Sequence, residues 1–144
     1  MNSSVLSQAK NLTFKRTIRE LSKRTRVFIF SKFNASSFRV YEIITKEELT
    51  GEHLGHLARV LLVDSVAEDF SWKAPPGEKC CVVWLKSGVY DAEGDMALYA
   101  ARRFRLADGI IAIKYGRGCA LSAPCSRRGV ESLYNPLVET LERL

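Results

Sequence analysis

Val27-Phe-Ile-Phe-Ser-Lys-Phe33 is followed, across Asn34-Ala-Ser-Ser37, by Phe38-Arg-Val-Tyr-Glu-Ile-Ile44. Both runs are rich in β-branched and aromatic residues, which suit a pleated surface better than a helix. The residues between them are turn formers. Together they predict an antiparallel hairpin, and therefore a sheet against which the rest of the chain must pack.

Upstream of the hairpin, Phe14, Ile18 and Leu21 recur at i, i+4, i+7 with Lys15, Arg16, Arg19 and Lys23 on the far side. This spacing predicts a short basic amphipathic helix, with Thr13 as its N-cap. Residues 1–10 are small and polar and read as a flexible N-terminus. Downstream, Thr45 with Glu48 has the capping-box pattern, and Leu54, Leu57, Ala58, Leu61 and Leu62 follow helical spacing. Lys79-Cys-Cys-Val-Val-Trp-Leu-Lys86 is a continuous apolar run with charged ends, as in a central strand buried on both faces. Residues 93–104 predict a third helix, with Ala97, Ala101 and Phe104 on its inner stripe beside Met96 and Ala100. Ile110–Tyr115 then predicts a strand that turns at Gly116-Arg-Gly118 into a second hairpin. Leu133, Leu137, Leu141 and Leu144 recur at helical spacing after Asn135-Pro136, a pattern that starts helices. The reading is an α+β fold, one domain over residues 11–144. It has a small, mainly antiparallel sheet (two hairpins plus a central strand) packed with about four helices.

A chain of 144 residues with 47% apolar content is large enough to sustain its own core. No apolar run approaches the roughly 20 residues that a membrane-spanning helix needs. Met1–Lys10 has no apolar core of the kind a secretory leader carries. With no export signal, the four cysteines read as reduced thiols of a cytosolic or nuclear protein. Lys15-Arg16 and Lys23-Arg24-Thr-Arg26 resemble the two halves of a bipartite nuclear signal, with a shorter spacer.

Charge is the feature that bears on function. Residues 1–44 carry nine Lys/Arg against Glu20 and Glu42, and residues 102–128 carry seven against Asp108 alone. If these blocks meet on one surface, they attract polyanions. The candidate phosphate contacts are Lys15, Arg16, Arg19, Lys23, Arg24, Arg26, Lys32 and Arg39 from the first block, and Arg102, Arg103, Arg105 and Arg117 from the second. Phe28, Phe30 and Tyr41 are candidate stacking residues, provided that their two strands present them on one side. The competing reading puts these aromatics in the core.

Catalytic signatures are missing: there is no P-loop, G-x-S-x-G, H-E-x-x-H or dinucleotide fingerprint. Cys80-Cys81 and Cys119-x5-Cys125 do not have zinc spacing. His53 and His56 suit a polar helix face better than a metal site. The sequence therefore points to a non-enzymatic, RNA- or single-strand-binding accessory protein that needs no cofactor or metal. The rival is a protein-interaction or assembly module, matrix-like or adaptor-like. It would pair Leu133, Leu137, Leu141 and Leu144 with a partner helix or a second copy, or rest its basic helix on an anionic membrane surface. A small thiol-dependent enzyme is the third reading.

Overall fold

The predicted hairpin forms: β1 (Lys23–Ser31) pairs with β2 (Ser37–Thr45), in register from Lys23↔Thr45 to Phe30↔Phe38. The protein is described by a computed structural model over residues 23–33, 37–47, 49–74, 79–121 and 133–144. Four further strands are β3 (Glu68–Ser71), β4 (Lys79–Leu85), β5 (Ile110–Leu121) and β6 (Glu139–Arg143). All six form one antiparallel sheet in the order β3-β1-β2-β5-β4-β6. Helix α1 (Gly51–Leu57) runs directly into a π-helical turn, Ala58–Leu62. Helix α2 (Ala92–Arg103) precedes β5.

Strand alternation gives the sheet two different faces. Val27, Ile29, Tyr41, Ile43 and Ile113 lie on one face. They are buried together with Leu54, Leu57 and Leu62 of the first helical segment and Ala101 of α2. Asp91 pins α2 to this face. Its Oδ1 accepts from the Gly94 N–H and its Oδ2 from the Tyr115 N–H of β5, each at 2.9 Å. The opposite face buries Phe28, Phe38, Val40, Cys80 and Val82, flanked by Phe30 and Trp84.

That second face is the inside of a curl. Arg26 on β1 and Glu142 on β6 are four strand spacings apart, about 19 Å across a flat sheet. Yet the Arg26 guanidinium grips the Glu142 carboxylate with two N–H donors, one of them at 2.8 Å. It also lies 5.1 Å from the centre of the Trp84 ring on β4. The sheet must therefore coil strongly, with Arg26, Trp84 and Glu142 on its concave side and the helices on its convex side. Two glycines of β5 leave room for the coil. A Cβ at Gly118 would sit 2.2 Å from the Phe38 ring, and one at Gly116 2.7 Å from Val82 Cγ1. Gly118→Ala is expected to destabilise the protein by about 1–3 kcal/mol, because a fully packed ring has to move. Equilibrium urea unfolding measures this, and an unchanged midpoint would mean that the interior has slack.

Several sequence expectations are corrected. The sheet is larger than expected, and the described residues hold two α-helices where about four were predicted. Residues 116–118 form no turn: β5 runs straight through them, and their glycines serve close approach of neighbouring side chains. Thr45 ends β2, fully buried, and the cap of α1 is Thr50, whose hydroxyl accepts from the His53 N–H. The C-terminal helix is not formed over the described residues. Asn135 closes a single turn, its carbonyl accepting from Val138 and Glu139, and the chain then extends as β6. Backbone pairing with β4 and two ion pairs outweigh the helical spacing of the leucines. The predicted basic helix lies outside the described residues, except that Lys23 and Arg24 open β1 instead.

Candidate nucleic-acid interface

The predicted cations do not all share a surface. Arg24 and Arg26 project from the concave face, Arg39 and Arg117 from the convex one. Arg39 and Arg117 are direct cross-strand partners, in the row Ile29–Arg39–Arg117–Val83. Like charges so placed repel, and the two side chains diverge. Arg39 reaches past β1 to Glu68 of β3, and also donates to the Leu62 carbonyl at 3.1 Å. Arg117 reaches past β4 to Glu139 of β6, and donates to the Leu133 carbonyl at 3.0 Å. Arg24 stands 3.7 Å from Glu42, which is 7% exposed, and Arg26 is held by Glu42 and Glu142. Three of the twelve candidate phosphate contacts, Arg26, Arg39 and Arg117, are thus committed to carboxylates that fasten strands together, and Arg24 is held only loosely.

The proposed stacking platform is not assembled. Phe28 and Tyr41 are buried on opposite faces and Phe30 is half-buried, because Val40, not Tyr41, stands opposite Phe28. Tyr41 packs on Tyr115 at 5.3 Å between ring centres. Burial pushes both phenols above their ordinary range, against the opposing pull of Arg39. Lys23 is exposed, and Lys32 donates to the Ser65 carbonyl. Leu137 and Leu144 are exposed, Leu133 is half-buried, and Leu141 sits in β6 opposite Val83. Lys15, Arg16 and Arg19 lie outside the described residues.

Three cations of the second basic block, Arg102, Arg103 and Arg105, are exposed together at the end of α2. Gly94, Ala97, Leu98 and Ala101 recur at i, i+3, i+4, i+7 and form the buried or half-buried side of the helix. This turns Met96, Tyr99, Arg102 and Arg103 outward. Tyr99 is 62% exposed and Phe104 64%. Among the described residues, no carboxylate comes within ion-pair distance of Arg102, Arg103 or Arg105. Sequence reasoning found these arginines but assigned Met96 and Phe104 to the inner stripe. The Gly94–Leu98 spacing was the signal for the true orientation.

The end of α2 is strained. Arg105 has φ +59°, a left-handed conformation that glycine adopts at little cost and other residues do not. It occupies the C′ position of a Schellman cap, with the Leu106 N–H donating to the Ala101 carbonyl at 2.7 Å and the Arg105 N–H to the Arg102 carbonyl at 3.1 Å. Arg105 thus stays exposed at the helix end that carries Arg102 and Arg103. Arg105→Gly is expected to stabilise the fold by about 1 kcal/mol while weakening any polyanion held there. Thermal melts paired with oligonucleotide titration test this, and a variant that melts no later than the parent would show that the strain is not relieved.

Among the described residues, no three His, Cys, Asp or Glu side chains gather into a metal-binding cluster. His53 donates to the Leu106 carbonyl at 3.3 Å, and His56 is exposed. Cys80 and Cys81 are buried on opposite faces. No described helix is long and apolar enough to cross a membrane. No protein-family model matches the chain. A search of curated proteins finds no relative for it either.

Proposed function

We propose that the chain is a non-enzymatic nucleic-acid-binding protein, accessory or regulatory in role, that takes RNA or another single strand on the C-terminal turn of α2. One observation carries this reading: exposed Tyr99 and Phe104 stand among three arginines that have no carboxylate partner among the described residues. Aromatic faces stack bases without demanding a sequence, and guanidiniums neutralise the adjoining phosphates. Arg102, Arg103 and Arg105 are the phosphate contacts in this reading, and Tyr99 and Phe104 the stacking residues. Arg26, Arg39 and Arg117 have a structural role instead.

The test is anisotropy of a labelled single-stranded RNA across a salt series, with anionic liposomes in parallel. Affinity is expected to fall log-linearly with salt. Tyr99→Ala with Phe104→Ala is expected to weaken it at least tenfold, at about 1–3 kcal/mol per stacked base. Binding indifferent to these substitutions would reject the site. Exposed Met96 on the same face favours a second reading, a protein partner docking on Met96, Tyr99 and Phe104. In that case RNA does not bind.

A further inference from the structure

We infer that the concave side of the sheet holds a second site, for a phosphate-type anion carried on a small organic body, between Arg24, Lys114 and Trp84. A cleft of about 420 Å³ opens there, bounded by the start of β1, the middle of β5 and the loop after β4. This lies within the size range of small-ligand pockets and far exceeds what a bare ion fills.

The cleft has more cations than free carboxylates. Arg26, Glu42 and Lys114 form one cross-strand row, so a single buried carboxylate stands between two cations, with Arg24 close by. Glu142 is held by both forks of Arg26. The two oxygens of Asp91 are taken by backbone N–H groups of Gly94 and Tyr115. Neither Lys114 nor Lys86 is within ion-pair distance of a carboxylate among the described residues. Arg24 is half exposed and holds Glu42 only at 3.7 Å.

Trp84 lines the cleft, and its buried indole N–H helps Arg26 to hold the Glu142 carboxyl below the usual carboxylate range. A phosphate group offers several acceptor oxygens at once, enough for a guanidinium edge and an ammonium. Ser87 and Gly88 line the mouth, and nothing lies within 4 Å of a Cβ built at Gly88, so the body of the ligand has room to leave the cleft. The cleft adjoins the N-terminal end of α2, about 18 Å along the helix from Arg103. It is therefore a different site from the proposed strand-binding surface and does not rest on it.

The chain has two tryptophans, and Trp72 is the more exposed. Trp72→Phe leaves Trp84 as the sole indole reporter. Titration with ribose 5-phosphate, and separately with inorganic phosphate, is expected to give a saturable change in its emission, at least fivefold tighter for the ester. Equal affinity for the two would overturn the organic body and leave a site for free phosphate alone. Lys114→Gln combined with Arg24→Gln is expected to weaken binding at least tenfold, and both side chains are exposed enough to leave the fold intact. Lys73→Gln, exposed and outside both proposed sites, is expected to change nothing. A response reproduced by sodium chloride at matched ionic strength would overturn the inference, as would full binding by the double variant. Calorimetry on the unsubstituted protein supplies the same comparison without the fluorescence.

Discussion

Replacing Arg102, Arg103 and Arg105 together by glutamine is expected to lower affinity for a single-stranded oligonucleotide roughly a hundredfold near 0.1 M salt. Each phosphate neutralised on a single strand contributes about 0.7 to the slope of log affinity against log salt. Three lost contacts should therefore flatten that slope by about 2. The two effects arise together only if counterion release at these side chains drives binding. The three residues are exposed and lie outside the ion pairs that hold the sheet, so unfolding temperature should fall little. Parent-like affinity and slope would remove α2 as the contact surface. Lost affinity with an unchanged slope would mean that the strand is held by stacking alone.

Arg26→Ala should have the largest effect on stability, about 2–3 kcal/mol. Three interactions end at this one guanidinium: the bidentate bond to Glu142, the ion pair to nearly buried Glu42, and the cation–π contact with Trp84. Removing one partner of a buried pair usually costs more, about 3–5 kcal/mol. The Arg26 and Glu142 side chains are about one-third exposed, so solvent screening reduces the expected figure. Acid titration provides a second measurement. Hydrogen bonding to Arg26 holds the Glu142 carboxyl below the usual carboxylate range, and Arg117 does the same for Glu139. A carboxyl lowered on folding contributes stability that is fully present above its unfolded value, near 4.3. That contribution is lost as pH falls through the folded value. The parent protein should therefore lose urea resistance below about pH 5, and Arg26→Ala should lose less over the same interval. Identical midpoints and identical acid dependence would show that curl closure does not need this pair.

The parts of the structure that were legible in the sequence are those governed by near neighbours. The β1–β2 hairpin was readable because two β-branched and aromatic runs flank a short polar connection. The interior strand Lys79–Leu85 was readable because it is apolar from Cys80 to Leu85. The C-terminal leucines misled because their period describes a helix, whereas the partner that decides the matter, β4, lies more than 50 residues away. Gly116 and Gly118 read as a turn because local sequence cannot reveal that Trp84 and Phe38 press on them. For the candidate site, charge was visible but pairing was not. Nothing near Arg39 in sequence announces Glu68, and nothing near Arg117 announces Glu139. The arginines of α2 remained candidates because their helix presents them away from every described acidic strand.

The central pairing of the sheet joins residues far apart in the chain: Ser37 stands opposite Cys119, and β2 contributes to both cores. The hairpin is local and can close within microseconds, but β5 must find β2 across the 64 residues from 46 to 109, whose closure entropy is paid before any contact rewards it. Refolding should accordingly take milliseconds to seconds. Throughout that interval the Phe38–Val40 edge has no neighbour, which makes newly diluted chains prone to sticking to one another at high concentration.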